Sequence, residues 1–130
     1  MSTIFSKIIA GEIPCHKIAE DDKHFAFLDI MPLKTGHVLV IPKQEVDYIF
    51  DLPADELASL HAFSQTIAHA IKKAMQCKRV GVAVIGLEVP HAHIHLIPMN
   101  LVSDMDFTRP KLKPDNQQLA DTAALIRSCL

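Results

Sequence analysis

The sequence predicts an α+β fold with a mostly antiparallel sheet of about five strands, one long helix and a helix near each end. Three features lead to it. Several short extended stretches follow one another with only turn residues between them. Residues 51–78 carry helical periodicity, and the run HAHIHLIP (91–98) alternates with a period of two.

Taken in order, TIFSKIIA (3–10) places Ile4, Phe5, Ile8 and Ile9 at helical spacing, and Gly11 and Pro14 end it. Residues 17–20, 25–28 and 37–41 are the next strands, separated by Asp21, Asp22 and the stretch 32–36, all turn-forming. HVLVIP, closed by Pro42, is apolar enough for a buried strand. The long helix has Pro53, Asp55 and Glu56 in its first turn and Lys72, Lys73 and Lys78 at its end, as the helix dipole favours. Leu57, Leu60, Ile67, Ile71 and Met75 mark its buried stripe, with Ser64 the polar exception. Residues 80–85 form a strand joined by GLEVP to the histidine-bearing strand 91–98. After an irregular stretch with Pro110 and Pro114, a last helix over 114–130 aligns Leu119, Ala123, Ile126 and Leu130. No internal repeat is visible, and one domain is expected over 1–130, with a core of about 3–108 and a helical extension of about 114–130.

The net charge of −2 lacks the basic excess of proteins that bind nucleic acid or anionic membranes, so neither partner is expected. Cys15, Cys77 and Cys129 are odd in number and far apart, which argues against a disulfide framework or a thiolate metal site. The N-terminus lacks the apolar run of a signal peptide, and no stretch approaches the ~20 apolar residues of a membrane span. The expected location is cytoplasmic.

In a strand, residues two apart share a face, so His91, His93 and His95 line one side while Ala92, Ile94 and Leu96 face a core. Three imidazole tips in a row need partners, which makes a purely structural role a poor account. A metal site is a second reading. His91 and His95 lie ~13.6 Å apart along an ideal strand, so an ion would need a ligand from elsewhere. Nucleophilic catalysis is the third. Neutral imidazole attacks well near pH 7, and its neighbours can donate to phosphoryl oxygens.

HAHIHLI resembles the His-φ-His-φ-His-φ-φ signature (φ apolar) of the histidine triad (HIT) family. TIFSKIIAGEIP, EDDKHFAFLDIMP, TGHVLVIPK and DLPADEL are similar to successive segments of that family in the same order, over roughly residues 3–108. The nearest branch is the histidine triad nucleotide-binding proteins. The resemblance implies a HIT-like fold, usually a homodimer, that cleaves purine nucleotide phosphoramidates, dinucleoside polyphosphates or aminoacyl adenylates through a nucleotidyl-histidine intermediate. By motif position it implies His93 as nucleophile, His95 as phosphate contact and aid to departure, and His91 as the residue that orients His93. His37 joins this cluster. It also implies a purine (AMP-like) pocket walled by Phe5, Ile8, Ile13, Phe27 and Ile30, with Asp29 on the ribose hydroxyls.

The chain departs from the pattern in places. Where many members carry Cys-x-x-Cys and a His that hold a structural zinc, it has Thr3, Ser6 and Glu45, so neither metal nor cofactor is expected. Gly86-Leu87 replaces the usual Gly-Gln, the preceding loop is short, and Glu88 introduces a charge that repels phosphate or carries a proton. These changes motivate an alternative reading as a non-catalytic purine-nucleotide-binding or interaction module. His24, His61 and His69 read as surface or helix-face residues, and Arg109, Lys111 and Lys113 as a solvated charge run, with approach to a polyphosphate as the lesser alternative.

Overall fold

The computed structural model describes residues 2–130. Helix α1 (Ile4–Ile9) starts at Thr3, whose hydroxyl accepts the Ser6 N–H, and the chain turns away through Gly11 at φ +79°. Strands β1 (Lys17–Glu20), β2 (His24–Leu28) and β3 (Val38–Pro42) follow. After a single 3-10 turn at Ile49–Asp51 comes α2 (Ala54–Met75), then β4 (Arg79–Ala83), β5 (Ile94–Met99), a second 3-10 turn at Val102–Met105, and α3 (Asn116–Ser128). The five strands form one sheet in the order β1-β2-β3-β5-β4, every neighbouring pair antiparallel. No helix among the described residues is long and apolar enough to cross a membrane.

Alternation along the strands divides the apolar residues between two faces. Ala26, Leu28, Val38, Val40, Ile94 and Leu96 pack with Leu60, Ile67 and Ile71 of α2 and Leu119, Ala123 and Ile126 of α3. Phe25, Phe27, Leu39 and Ile41 point the other way and pack with Phe5 and Ile8 of α1. Two helices thus cover one face, while the short α1 covers only part of the other and leaves room for a cavity.

Helix α2 buries Leu60, Ile67, Ala70 and Ile71, and the expected polar exception Ser64 is satisfied by donating to the Leu60 carbonyl at 2.9 Å. It ends where Gln76 takes a left-handed conformation at φ 51°. Helix α3 begins with a reciprocal cap: Asp115 accepts from the Gln118 N–H, and Gln118 reaches back to the Asp115 N–H.

Several boundaries differ from the sequence expectation. The long helix is shorter than 51–78 because Ile49–Asp51 forms a separate turn ahead of Pro53. Strand β4 stops at Ala83, so Val84 and Ile85 leave the sheet despite their β-branched character. The histidine strand pairs only from Ile94 onward, which puts His91, in a bend, and His93 ahead of β5. Alternation still holds there: Ala92 turns to the helix-covered core and its N–H donates to the Val46 carbonyl. His24 is a further correction. It is buried between Asp21 and Ser59, with its ring stacked on Phe63, rather than lying at the surface. His61 and His69 are exposed as expected.

Candidate active site

The cavity beside α1 has a volume of about 350 Å³, and Phe5, Phe27, Asp29, His37, His93 and His95 all line it. So do Ile8, Ile13 and Ile30, the last of these largely exposed at the rim. Every residue expected at the site therefore borders this cavity except His91, which lies directly behind it.

His91 is fully buried. Its Nε2 is 2.8 Å from the Pro42 carbonyl, which can only accept, so in the neutral ring Nε2 carries the proton. Nδ1 is then an acceptor, and the Thr3 hydroxyl donates to it at 2.8 Å. Thr3 is fixed in turn. Its N–H and the Ser6 hydroxyl both donate to Glu45 Oε1 at 2.7 Å. Thr3, Ser6 and Glu45 thus assemble around His91 as a hydrogen-bonded web that ties α1 to the histidine run. Burial pushes the His91 pKa down, against the pull of the Pro42 carbonyl and Glu45.

His93 is oriented by the main chain of His91. Its Nδ1 donates to the His91 carbonyl at 2.7 Å, which leaves Nε2 as the unprotonated nitrogen of the neutral ring. The edge of Phe5 meets this ring, with centroids 5.1 Å apart and planes at 86°. The His95 ring is 4.9 Å away on the other side.

A second relay sets His95. The Leu33 N–H donates to His37 Nδ1 at 3.1 Å, so the neutral His37 ring has its proton on Nε2. That nitrogen is 2.9 Å from His95 Nδ1 and donates to it, which assigns the His95 proton to Nε2. The result is an acceptor on His93 beside a donor on His95. Burial, reinforced by neighbouring positive charge, lowers His37 to about 3 and His95 to about 4, so both rings are neutral near pH 7.

Asp29 stands at the end of β2. Its Oδ1 accepts the Met31 N–H at 2.9 Å, and Oδ2 is 3.7 Å from His37 Nε2. Burial raises its carboxyl, opposed by the Met31 hydrogen bond and the Lys111 charge. Asp29, His37 and His95 bring potential ligand atoms within 4.8 Å of one another. The 2.9 Å separation between the two ring nitrogens is that of a hydrogen bond, however, and shorter than the ~3.3 Å between nitrogens on a tetrahedral zinc with ~2.0 Å bonds.

Phe107 was not anticipated at the site, and Lys111 was expected there only on the lesser reading of its charge run. Phe107 sets its edge against His95 at 4.9 Å and His37 at 6.4 Å, and Lys111 lines the same cavity. Within the basic run Arg109 and Lys113 are exposed as expected, whereas Lys111 is half-buried. Lys111 faces the histidines, Lys113 borders a neighbouring cavity, and Arg109 is held by the Ser103 carbonyl at 2.8 Å. Leu87 and Glu88 also border the site, Leu87 being 88% exposed.

Known proteins resemble this chain in sequence and in fold. The HIT domain family model matches residues 10–101. An adenosine 5'-monophosphoramidase of Schizosaccharomyces pombe is 36% identical over 99 residues, which cover 75% of this chain and 74% of that one. An adenylylsulfatase of Arabidopsis thaliana is 33% identical over 132 residues, covering 98% of this chain and 66% of that one. The crystal structure of a Hit-like protein from Bartonella henselae, described as involved in cell-cycle regulation, superposes with a TM-score of 0.85 at 34% identity. It covers 99% of this chain and 97% of its own.

Proposed function

Since this chain belongs to the HIT domain family, we propose that it is a nucleotidyl hydrolase or transferase that cleaves purine nucleotide phosphoramidates or dinucleoside polyphosphates through His93. The observation that carries the reading is the pairing of opposite ring polarities. His93 is held with Nε2 unprotonated, and His95 beside it is held with Nε2 protonated.

The His93 Nε2 lone pair attacks the α-phosphorus, and the bond from phosphorus to the leaving group breaks. An N–P bond replaces it, while the proton stays on His93 Nδ1, and the His91 carbonyl that accepts it helps spread the positive charge of the nucleotidyl-histidine. His95 donates from Nε2 to a non-bridging phosphoryl oxygen, where charge must be held in the transition state; when the leaving group is an amine, that proton passes to its nitrogen, and the water that attacks next restores it. Water, or another acceptor for transfer, then attacks phosphorus and returns the electron pair to His93.

The apolar walls Phe5, Ile8, Ile13, Phe27 and Ile30 suit a flat purine, and Asp29 suits the paired ribose hydroxyls. Whether AMP-like compounds are the physiological ligands is part of the same proposal. A homodimer belongs with it too, and the sheet edge at β4, where Val82 is exposed, is a surface that a second copy would cover. Light scattering tests that part.

For the chemistry, the protein is quenched during reaction with adenosine 5'-phosphoramidate and digested for mass spectrometry. An adenylyl adduct on His93, absent along with turnover from His93→Ala, is the expected result. AMP binding without turnover across phosphoramidates and dinucleotides would replace this reading with a binding module.

A further inference from the structure

We infer that Lys111 is a specificity-determining residue that selects the leaving group: its ammonium, held beside the His37–His95 pair, favours nucleotides whose departing group is an anion. The inference rests on the nucleotide reading above and adds to it a residue beyond the segment 10–101 that the family model matches.

The geometry comes from a strap that folds back after the second 3-10 turn. Phe107 lays its ring against His95, and the Leu112 N–H donates to the Pro32 carbonyl at 2.9 Å, which anchors the strap's far end to the loop carrying His37. Between these points Lys111 Nζ donates to the Phe107 carbonyl at 2.7 Å and lies 5.6 Å from the Phe107 ring centroid. An ammonium has three donors, so two remain for a ligand.

With the histidines neutral, Lys111 is the one positive charge among the described residues lining this cavity. The other cations of the region are engaged or turned elsewhere: Arg109 at Ser103 and Asp104, Lys34 at Asp104, and Lys113 on the neighbouring cavity. Glu88 and Asp29 supply the same cavity with competing negative charge, and the Lys111 ammonium acts on the Asp29 carboxyl. The Lys111 charge is also felt by the site, since it helps to depress both His37 and His95.

The chemistry fits a group that leaves as an anion. As His93 Nε2 bonds to phosphorus, the P–O bond breaks and its electron pair goes to the departing sulfate or phosphate oxygen. That oxygen takes no proton, and the ammonium balances the charge it carries away. Water then attacks phosphorus, the pair returns to Nε2, and a proton passes to solvent. An amine, by contrast, must gain a proton as it leaves, and a fixed ammonium offers it no such advantage.

The test uses equilibrium binding of AMP and ADP, whose β-phosphate occupies the leaving-group position, by calorimetry in metal-free buffer. Wild-type protein is expected to bind ADP about tenfold more tightly than AMP, the scale of one partly exposed charge-assisted hydrogen bond. Lys111→Gln brings that ratio to within about twofold of unity, while Lys111→Arg and Lys113→Gln keep it. Urea midpoints confirm that each variant folds. A wild-type ratio near one, a ratio that survives Lys111→Gln, an equal loss in Lys113→Gln, or no binding of either nucleotide overturns the inference. The outcome is separable from the proposed chemistry. A normal ratio without a His93 adduct would remove the catalytic reading alone, and an adduct without the ratio would remove only the role of Lys111.

Discussion

Acidification should unfold this protein through two histidines before its carboxylates are lost. His37 and His95 are 1% and 8% exposed, and their pKa values of about 3 and about 4 lie well below the ordinary 6.5. A depressed histidine is neutral in the folded state. As pH falls below 6.5 the unfolded chain takes up protons that the folded one refuses, so stability declines. The decline continues until pH reaches the folded values and levels off below them. At pH 5 each ring has cost about 2 kcal/mol relative to pH 7, about 4 kcal/mol together, which is a large part of a typical domain's 5–15 kcal/mol. Urea unfolding at several pH values reads this directly. With a slope of about 2 kcal/mol per molar, the midpoint should fall by about 2 M between pH 7 and pH 5. His37→Gln supplies the internal control, because its amide can still accept from Leu33 and donate to His95 without titrating. It should lose only about 2 kcal/mol over the same interval. Asp29, whose carboxyl is raised, titrates in the opposite sense, while His91, lowered by burial, adds to the decline, and both are common to the two proteins. A midpoint that moves by less than about 0.5 M, or a variant that falls as far as wild type, would refute the tautomer and burial assignment.

Two substitutions test the support around the site. Thr3→Val keeps the shape of the side chain but removes both the donor to buried His91 Nδ1 and the oxygen that caps α1 at the Ser6 N–H, a loss of about 1–3 kcal/mol that calorimetry should register as a lower Tm. An unchanged Tm would show that the hydroxyl is not what satisfies His91. Gly36→Ala should be harmful for two reasons. The residue sits at φ +96°, where an L side chain costs about 1–2 kcal/mol, and its new Cβ would lie 2.7 Å from Met75 Cγ. A urea midpoint equal to wild type would contradict that crowding.

Much of the fold was legible because its signals are local. The alternation of His91, His93 and His95 survives even where the ladder has not begun, since Ala92 packs into the helix-covered core while Phe5 meets the His91 and His93 rings on the other side. The stripe Leu60, Ile67 and Ile71 likewise needs only helical spacing. The site was legible in its histidines and apolar walls, through the resemblance, and less so where distant segments meet. Nothing in the spacing reveals that Glu45 accepts from Thr3 and Ser6, 42 and 39 residues away. Lys111 and Lys113 are equivalent in a charge run, and only the Leu112–Pro32 hydrogen bond decides which one faces the histidines. His24 was misread because its burial arises from Phe63 and Ser59 on a helix far along the chain. Val84 and Ile85 look like strand residues, yet Gly86, at φ +72°, turns the chain into the cavity's rim.

The hydrogen-bond relay through His37 begins at a main-chain amide, and this has an evolutionary consequence. Replacing Leu33 with any amino acid except proline retains that N–H, so drift in side chains cannot reverse which His95 nitrogen is protonated. The order of protons across the paired imidazoles is inherited there from the path of the backbone, and is insulated from changes of side chain at position 33.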